Sequence, residues 1–261
     1  MKKCSIYFLL SLGNVYSSCS QHSNYGKPIK EPVEILKDFD HYWDYQNKYV
    51  KLFENFIALD DSLQHIEKKN FISELVNGNF LPLRLNSTDS NIYYQLYRLN
   101  SSVDNTIAQT IKQMAAFDYK NYLLEGKKLP SLNFVDLEGN KYDSETTKGK
   151  TIVIKCWFIH CTKCIEEMPK LNKLVEKYNR KKDILFLSLA FDSENELRSF
   201  LAKREFKYAV VANKKDYLKK DLNISLYPTH LIINKNGIIV KVINSFQELD
   251  IALNTFLSKT N

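Results

Sequence analysis

The run IVIKCWFIHCTKCIEEMP occupies residues 152–169 and joins two different patterns. Residues 151–158 are rich in β-branched and aromatic side chains, which is typical of a strand covered on both faces. From Ile165 onward apolar side chains recur every three or four positions, which predicts an amphipathic helix. Between them lies a Cys-x-x-Cys turn formed by Cys161 and Cys164. A cysteine pair between a buried strand and a helix is typical of a redox site.

Cys161 and Cys164 carry the predicted chemistry. A cysteine at a helix start lies where free backbone N–H groups and the helix dipole favour the thiolate. Such sites lower the thiol pKa from about 8.5 to roughly 3.5–7.5. Because the thiolate is the species that attacks a disulfide, we predict that Cys161 attacks the substrate and that Cys164 resolves the mixed disulfide. Cys156 falls within the strand and is interpreted as packing.

Three other uses of this cysteine pair have less support. A purely structural disulfide would close so small a ring that it constrains little chain. A zinc or copper carrier could use His160, Cys161 and Cys164, but no second Cys/His pair completes a tetrahedral site. Covalent haem attachment needs a histidine directly after the second cysteine, and Ile165 stands there instead. We therefore predict neither a metal nor a cofactor.

Two segments carry a resemblance to a known family. The pattern Trp-Phe-x-x-Cys-x-x-Cys-x-x-Glu-Met-Pro spans Trp157 to Pro169, and LYPTHLIINKNG follows at residues 226–237. Together they resemble the membrane-anchored, extracytoplasmic thiol-disulfide oxidoreductases of the TlpA/ResA type, which have a thioredoxin fold. Two motifs in the right order are more specific than a lone cysteine pair. The resemblance implies an α/β fold, a thioredoxin-like mixed sheet flanked by helices.

The same resemblance implies roles for residues around the pair. Pro228 is expected to be cis and to pack against the cysteines, which leaves the backbone of Tyr227 free to pair with a substrate strand. Thr162 and Lys163 occupy the positions between the cysteines, which tune the redox potential in this family. The Lys163 charge should also stabilise the thiolate. Trp157 belongs to the motif and precedes the turn.

Three further candidate residues leave alternatives open. His160 is either a cationic partner for Cys161 or an exposed residue at the rim. Glu167 matches a glutamate that influences thiol acidity in the family, or it is an exposed helix residue. Lys155 stands where thioredoxins carry a buried acid, six residues before Cys161. It could be a desolvated base for Cys164, point out from the sheet edge, or pair with Glu167.

The first 32 residues predict export. Two lysines, an apolar run and then small residues give residues 1–18 the pattern of a secretory signal. The apolar run is too short to span a bilayer. Cys19 is predicted to be lipidated after processing, with a soluble secreted form as the alternative. Residues 19–32 are polar, contain two prolines and are interpreted as a tether.

Two domains are predicted after the tether. A helical pattern ends at Gly126, before lysines and a proline, which places the boundary between residues 33–125 and 126–261. The first is interpreted as a small α+β domain of unknown role that ends in one long helix. Its many aromatic side chains are interpreted as its core rather than as a docking face. In the second, strands alternate with helices before a hairpin, which predicts a mixed sheet.

The sequence therefore predicts an enzyme, a thiol-disulfide oxidoreductase that acts as a reductase. The resemblance implies protein thiol or disulfide substrates in the cell envelope, a membrane electron donor, and a periplasm-facing lipoprotein anchored in the membrane. The competing interpretation is a non-enzymatic binding or scaffold lipoprotein with a thioredoxin-like domain. The net charge of +7 comes from lysines scattered between acids, which indicates a solvated surface and not a nucleic-acid site.

Overall fold

The computed structural model describes residues 24–260 of the chain. Its first part contains, in chain order, β1 (Tyr25–Pro28), α1 (Pro32–Ile35), α2 (Phe39–Tyr49), β2 (Ile57–Leu59), β3 (His65–Ile66), α3 (Lys68–Val76), β4 (Phe80–Ser87), β5 (Tyr93–Arg98) and α4 (Asn105–Tyr122). The five strands form one sheet in the order β1-β4-β5-β2-β3. Asp104 is the N-cap of the long helix α4, and its side chain accepts a hydrogen bond from Thr106 N. The predicted α+β architecture of this part is confirmed.

Aromatic residues form the core of this first part. Tyr42, Tyr45 and Tyr94 are fully buried. The Tyr45 hydroxyl donates to the carbonyl oxygen of Pro82 at 3.0 Å, and the Tyr94 hydroxyl donates to that of Tyr49 at 2.6 Å. A buried tyrosine needs such an acceptor, because an unpaired hydroxyl would be costly. The prediction that these rings form a core is confirmed.

The predicted tether, residues 19–32, is wrong in its second half. Residues 25–28 form β1, which pairs antiparallel with β4 at the edge of the sheet. The Asn86 side chain secures this strand by donating to the carbonyl oxygens of Lys27 and Pro28. An edge position tolerates Pro28, because the missing N–H is not needed there. The predicted signal at residues 1–18 and Cys19 lie outside the described residues. Within residues 24–260, no helix has both the length and the apolar character that a membrane crossing requires.

The second part begins with a small hairpin and continues into a larger sheet. Its elements are β6 (Asn133–Val135), β7 (Lys141–Asp143), β8 (Thr151–Trp157), α5 (Thr162–Glu166), α6 (Met168–Lys177), β9 (Ile184–Ala190), α7 (Glu194–Leu201), β10 (Ala209–Val211), β11 (Thr229–Ile233), β12 (Ile239–Ile243) and α8 (Phe246–Thr260), with a π-helical turn at Tyr217–Asp221. Helix α7 begins with a capping box formed by Ser193 and Glu196.

The larger sheet has the strand order β10-β9-β8-β11-β12. Strands β8, β9 and β10 are parallel, and β11 is antiparallel to both of its neighbours. All seven residues of β8 are buried because apolar clusters cover both faces of the sheet. Alternate β8 residues enter different clusters, Ile154 on one face and Val153 on the other. The predicted thioredoxin-like mixed sheet flanked by helices is confirmed.

The two parts are in direct contact. The chain between them runs along β12, the edge strand of the larger sheet, where Gly126 N donates to Ile239 O at 2.8 Å and Ile239 N donates to Lys127 O at 2.9 Å. The Lys241 ammonium donates to Phe53 O at 2.8 Å. These bonds occupy part of an edge that would otherwise expose unpaired backbone groups. The domain boundary at residue 125 stays a prediction.

Candidate active site

The cysteine pair lies where the central strand β8 gives way to α5. Cys161 is the N-cap residue of α5, and its sulfur accepts a hydrogen bond from Cys164 N at 3.2 Å. The two sulfurs form a disulfide, with the Cα atoms 5.2 Å apart. Cys164 is fully buried, whereas Cys161 retains 7 % of its surface. Of the two residues, only Cys161 therefore retains exposed surface.

The helix predicted after the cysteines is divided into two. Helix α5 ends at Glu166, and α6 begins at Met168 with Pro169 in its first turn. Proline cannot donate to the carbonyl four residues earlier, so the continuous hydrogen-bond ladder is interrupted at this point. Glu167 stands at the junction, and its side chain is directed to the interior, where it is 13 % exposed.

The loop before β11 lies beside the pair. The Tyr227–Pro228 peptide bond is cis, as predicted, and the Tyr227 ring packs against the apolar cluster that contains both cysteines. Thr229 pairs with Cys156 across β11 and β8, which fixes where the loop leaves the sheet. Within residues 24–260 the backbone N–H and carbonyl of Tyr227 have no hydrogen-bond partner. They are available to a strand from another molecule.

Three aromatic rings, those of Phe158, Phe191 and Tyr227, contact one another beside this loop. Phe158 stacks on Phe191 with centroids 5.3 Å apart, and Tyr227 meets both rings edge-on. Phe158 and Phe191 were not among the site residues predicted from the sequence. Phe191 directly follows β9, and the carboxyl ends of parallel strands meet at one edge of a sheet, so its position was a usable signal. Trp157 is different: it is fully buried and donates to Ser188 Oγ at 3.0 Å.

Asp192, which was also not predicted from the sequence, holds the turn before Cys161. Asp192 Oδ2 accepts from Ile159 N at 2.9 Å, and Phe191 N donates to Trp157 O at 3.2 Å. Both bonds tie the turn to the end of β9. This fixes the approach of the chain to the redox pair.

Below α5 and α6 lies a buried ionic cluster of Lys155, Glu167 and His230. Glu167 Oε2 accepts from Lys155 Nζ at 3.1 Å and from His230 Nε2 at 3.0 Å, and its Oε1 accepts from Phe246 N at 2.7 Å. The side chains of Lys155 and His230 are 0 % exposed. The interpretation of Lys155 at the sheet edge is wrong, because β8 is a central strand. The interpretation of Glu167 as an exposed residue is also wrong, because its side chain is only 13 % exposed. The alternative that pairs them is confirmed.

The protonation states of this cluster follow from its geometry. Burial opposes ionisation of Glu167, but the hydrogen bond and charge of His230, the charge of Lys155 and the Phe246 N–H together lower its pKa to about 2. Burial lowers the pKa of both Lys155 and His230, and Glu167 partly offsets this. A neutral His230 donates from Nε2, which leaves its buried Nδ1 without a partner among the described residues. His230 was not among the site residues predicted from the sequence, although it follows Pro228 by two positions.

The remaining predicted site residues lie at the surface. His160, Thr162 and Lys163 are exposed around the buried pair, which agrees with the rim interpretation of His160. Their roles in catalysis stay predictions, as does a base role of Lys155 for Cys164. Cys156 is buried and unpaired, and burial raises the pKa of its thiol. It packs within the core, as predicted.

The fold and the redox pair define the class of protein: a thiol-disulfide oxidoreductase with a thioredoxin-like fold. Residues 124–253 match the model of the family described as Redoxin. The chain is similar to the thiol-disulfide oxidoreductase ResA of Bacillus cereus, with 29 % identity over 127 residues, which cover 49 % of this chain and 73 % of that one. It is also 29 % identical over 117 residues to the thioredoxin-like protein YneN of Bacillus subtilis, covering 44 % and 68 %. Within this class, the chain is similar to ResA, and its match to the Redoxin family lies in its second part.

Solved structures similar to this chain include two from Bacteroides vulgatus. The thioredoxin domain of one thiol-disulfide oxidoreductase is 24 % identical with a TM-score of 0.45, and the match covers 51 % of this chain and 96 % of that domain. A second oxidoreductase is 30 % identical with a TM-score of 0.41, covering 46 % and 84 %. Both matches cover about half of the present chain.

Proposed function

We propose that this chain reduces disulfides of cell-envelope proteins through Cys161 and Cys164. The observation that carries the proposal is the unequal exposure of two disulfide-bonded cysteines at one helix start. Cys161 retains 7 % of its surface and Cys164 retains none. Attack on a substrate requires an accessible sulfur, whereas resolution of the mixed disulfide requires a neighbouring one.

The reaction proceeds in two exchanges. In the reduced enzyme the Cys161 thiolate attacks one sulfur of the substrate disulfide. A bond forms between Cys161 and the substrate as the substrate disulfide breaks, and the departing thiolate takes up a proton. Cys164 then loses its proton and attacks Cys161, which forms the enzyme disulfide and releases the second substrate thiol. Two electrons have passed to the substrate, and the enzyme is left with the disulfide seen in this structure.

Local contacts favour the attacking thiolate. The backbone N–H of Cys164 already points at Cys161 Sγ, and a donor directed at sulfur stabilises its negative charge more than its neutral form. Lys163 lies exposed in the same turn and adds a positive charge. The unpaired backbone of Tyr227 supports binding of an extended substrate segment next to the sulfur under attack.

The envelope location and the electron supply belong to the same proposal. A secretory signal at residues 1–18 and lipidation of Cys19 would place the enzyme outside the cytoplasm, anchored to a membrane. A membrane electron donor would then return two electrons to the Cys161–Cys164 disulfide after each cycle. The resemblance of the two motifs to the membrane-anchored TlpA/ResA type supports this arrangement.

Insulin reduction by the full chain tests the reaction. We expect turnover with wild type, none with Cys161→Ser, and accumulation of a mixed disulfide with Cys164→Ser, because that variant can attack but cannot resolve. Cys156→Ser serves as the control, since that thiol is buried and unpaired. Undiminished turnover by Cys161→Ser would refute the proposal.

The direction is tested by the midpoint potential of the pair. We expect a value near the thioredoxin value of about −270 mV, whereas a value near about −120 mV would identify an oxidant.

A further inference from the structure

The end of helix α4 reaches from the first part of the chain to the loop that contains cis-Pro228. Asn121 Nδ2 donates to Asn244 Oδ1 at 2.6 Å, and Lys120 Nζ donates to Ser225 Oγ at 2.9 Å. Ser225 lies three residues before Pro228, and Asn244 directly follows β12. Two adjacent residues of α4 therefore contact two segments that flank the redox site.

Asn244 passes the contact from α4 to the loop itself. Its amide Nδ2 donates to Thr229 Oγ1 at 2.7 Å and to Pro228 O at 3.3 Å. Its backbone N–H is held by Glu248 Oε2 at 3.0 Å. The Asn244 side chain thus donates to the loop through Nδ2 and accepts from Asn121 through Oδ1. All of these groups are half-buried or buried, where a hydrogen bond is screened less than at the surface.

These bonds fix the loop in one orientation. The Thr229 hydroxyl that accepts from Asn244 donates in turn to Leu226 O at 2.6 Å, and the Tyr227 hydroxyl donates to Ile224 O at 2.9 Å. The carbonyl of Pro228 is occupied by Asn244, while the backbone groups of the preceding Tyr227 are unpaired within the described residues. The inward side of the loop is thus bonded and the outward side is open.

We infer that the first part of the chain positions the substrate-binding loop of the redox domain, acting from α4 through Asn121 and Asn244. The inference rests on the proposed function, in which the Tyr227 backbone binds the substrate strand. It gives residues 33–125 a role in this reaction: they hold a preformed surface for a polypeptide. Asn121 and Asn244 are positioning residues, since neither contacts the sulfurs. A preformed loop lowers the ordering cost of binding, so the effect falls on substrate affinity.

The distinguishing experiment compares a protein disulfide with a small one. In the full chain, Asn121→Ala should raise KM for insulin about fivefold, the loss of roughly one net hydrogen bond. Its kcat for a small aromatic disulfide, which needs no strand pairing, should stay unchanged. The midpoint potential of Cys161–Cys164 should also stay unchanged, because the substitution touches neither sulfur.

Asn121→Asp sharpens the test. An aspartate offers only acceptors, so Asn244 must either face a repulsive oxygen or turn its amide over and present oxygen to Pro228 O. Either outcome breaks the connection, and we expect an increase in KM at least as large as with alanine. Asn121→Gln keeps the donor and should lie between wild type and alanine.

Asn254→Ala is the matched control. This half-buried asparagine also bridges elements, accepting from Lys177 and Tyr178, but it makes no bond to the loop. It should leave KM for insulin unchanged. Unchanged KM in both Asn121→Ala and Asn121→Asp would overturn the inference, as would an equal loss with both substrates accompanied by a lower melting temperature. The proposed function fails separately, through an active Cys161→Ser variant.

Discussion

Two clusters of charged residues, one buried and one half-buried, hold their carboxyl groups in opposite protonation states. The first is the cluster of Lys155, Glu167 and His230 beneath the redox helices. The second lies between the two parts of the chain, where Asp118 of α4 faces Glu248 of α8 and Lys68 of α3. In the first cluster the pKa of the carboxyl is lowered to about 2, and in the second burial and Glu248 raise the pKa of Asp118 to about 7.

The difference lies in hydrogen bonding rather than in burial alone. Glu167 accepts three hydrogen bonds from groups that favour its charged form. Asp118 has no hydrogen bond or ion pair among residues 24–260, and its like-charged neighbour Glu248 opposes its ionisation. A buried carboxylate is stable when donors converge on it and costly when they do not. The cluster under the active site is therefore built to stay ionised, whereas the one between the parts titrates near neutrality.

The largest expected effect comes from removing one member of the ionised cluster. Glu167→Gln leaves the fully buried Lys155 ammonium without a carboxylate, and we expect the free energy of unfolding to fall by about 3 kcal/mol or more. For a chain of this size that lowers the melting temperature by roughly 6–12 °C. Thermal unfolding at pH 7, with the cysteine pair oxidised, measures the change.

The double variant Lys155→Met/Glu167→Gln is the control. Removing both charges together should recover most of the loss, because the double variant leaves no unpaired buried ammonium. Equal instability of the single and double variants would contradict the argument. The pH dependence of stability also follows from the lowered pKa of Glu167. The ionised carboxylate contributes stability above about pH 4.5, and this contribution is lost toward pH 2. That acid loss should be smaller in the double variant.

The second prediction concerns Asp118, whose pKa is shifted in the opposite direction to that of Glu167. Because its pKa is raised from 3.8 to about 7, the folded state holds a proton that the unfolded state has lost. Stability therefore falls as pH rises from about 4 to about 7 and stays low above that. Asp118→Asn should stabilise the protein at pH 8 by about 1–2 kcal/mol, less than the full shift implies since the residue is only half-buried.

Melting temperatures at pH 5 and pH 8 test this prediction. We expect a gain of a few degrees for Asp118→Asn at pH 8 and a clearly smaller gain at pH 5, where the unfolded state has lost its proton but only the first part of the interval from about pH 4 to about pH 7 has been crossed. The exposed Asp250, with its ion pair to Lys177, provides the control Asp250→Asn, which should not produce this pattern. A gain that is the same at both pH values would rule out titration of Asp118 as the cause.

The two clusters also show which features could be predicted from the sequence alone and which could not. Features defined by local patterns were predictable: strand β8 and the cis-Pro loop. The pairing of Lys155 with Glu167 was one of three alternatives, because periodicity does not tell which way a strand residue points when both faces are buried. His230 was missed since its contact with Glu167 spans 63 positions. It could have been found from register, as His230 lies directly opposite Lys155 in the sheet.

Residues outside the family pattern were harder to predict. Strand β1 contains Gly26 and Pro28, both typical of loops, and it exists because β4 offers an unpaired edge. The order of strands in the first sheet depends on contacts between distant segments, which turn and propensity signals do not specify. The same holds for the hydrogen bonds between α4 and the cis-Pro loop. Each of these features is set by tertiary pairing.

The smallest expected effect comes from Lys68, the positive member of the second cluster. Burial lowers its pKa to about 8, and its ammonium donates to Glu54 O at 2.8 Å and lies over the Phe56 ring. Lys68→Gln removes both the attraction to Asp118 and the cost of burying the ammonium. These contributions oppose each other, so we expect the free energy of unfolding to change by less than about 1 kcal/mol.

The carboxyl titration of Asp118 responds more clearly than stability does. Without Lys68 the remaining influences on Asp118, burial and Glu248, both raise its pKa, so its midpoint should move above 7 in a carbon-13 NMR titration. The exposed neighbour Lys69 gives the control Lys69→Gln, which should leave the midpoint in place. A midpoint that falls in Lys68→Gln would show that Lys68 does not stabilise the ionised carboxylate. The difference in pKa between Asp118 and Glu167 would then have to arise, on the Asp118 side, from burial and Glu248 alone.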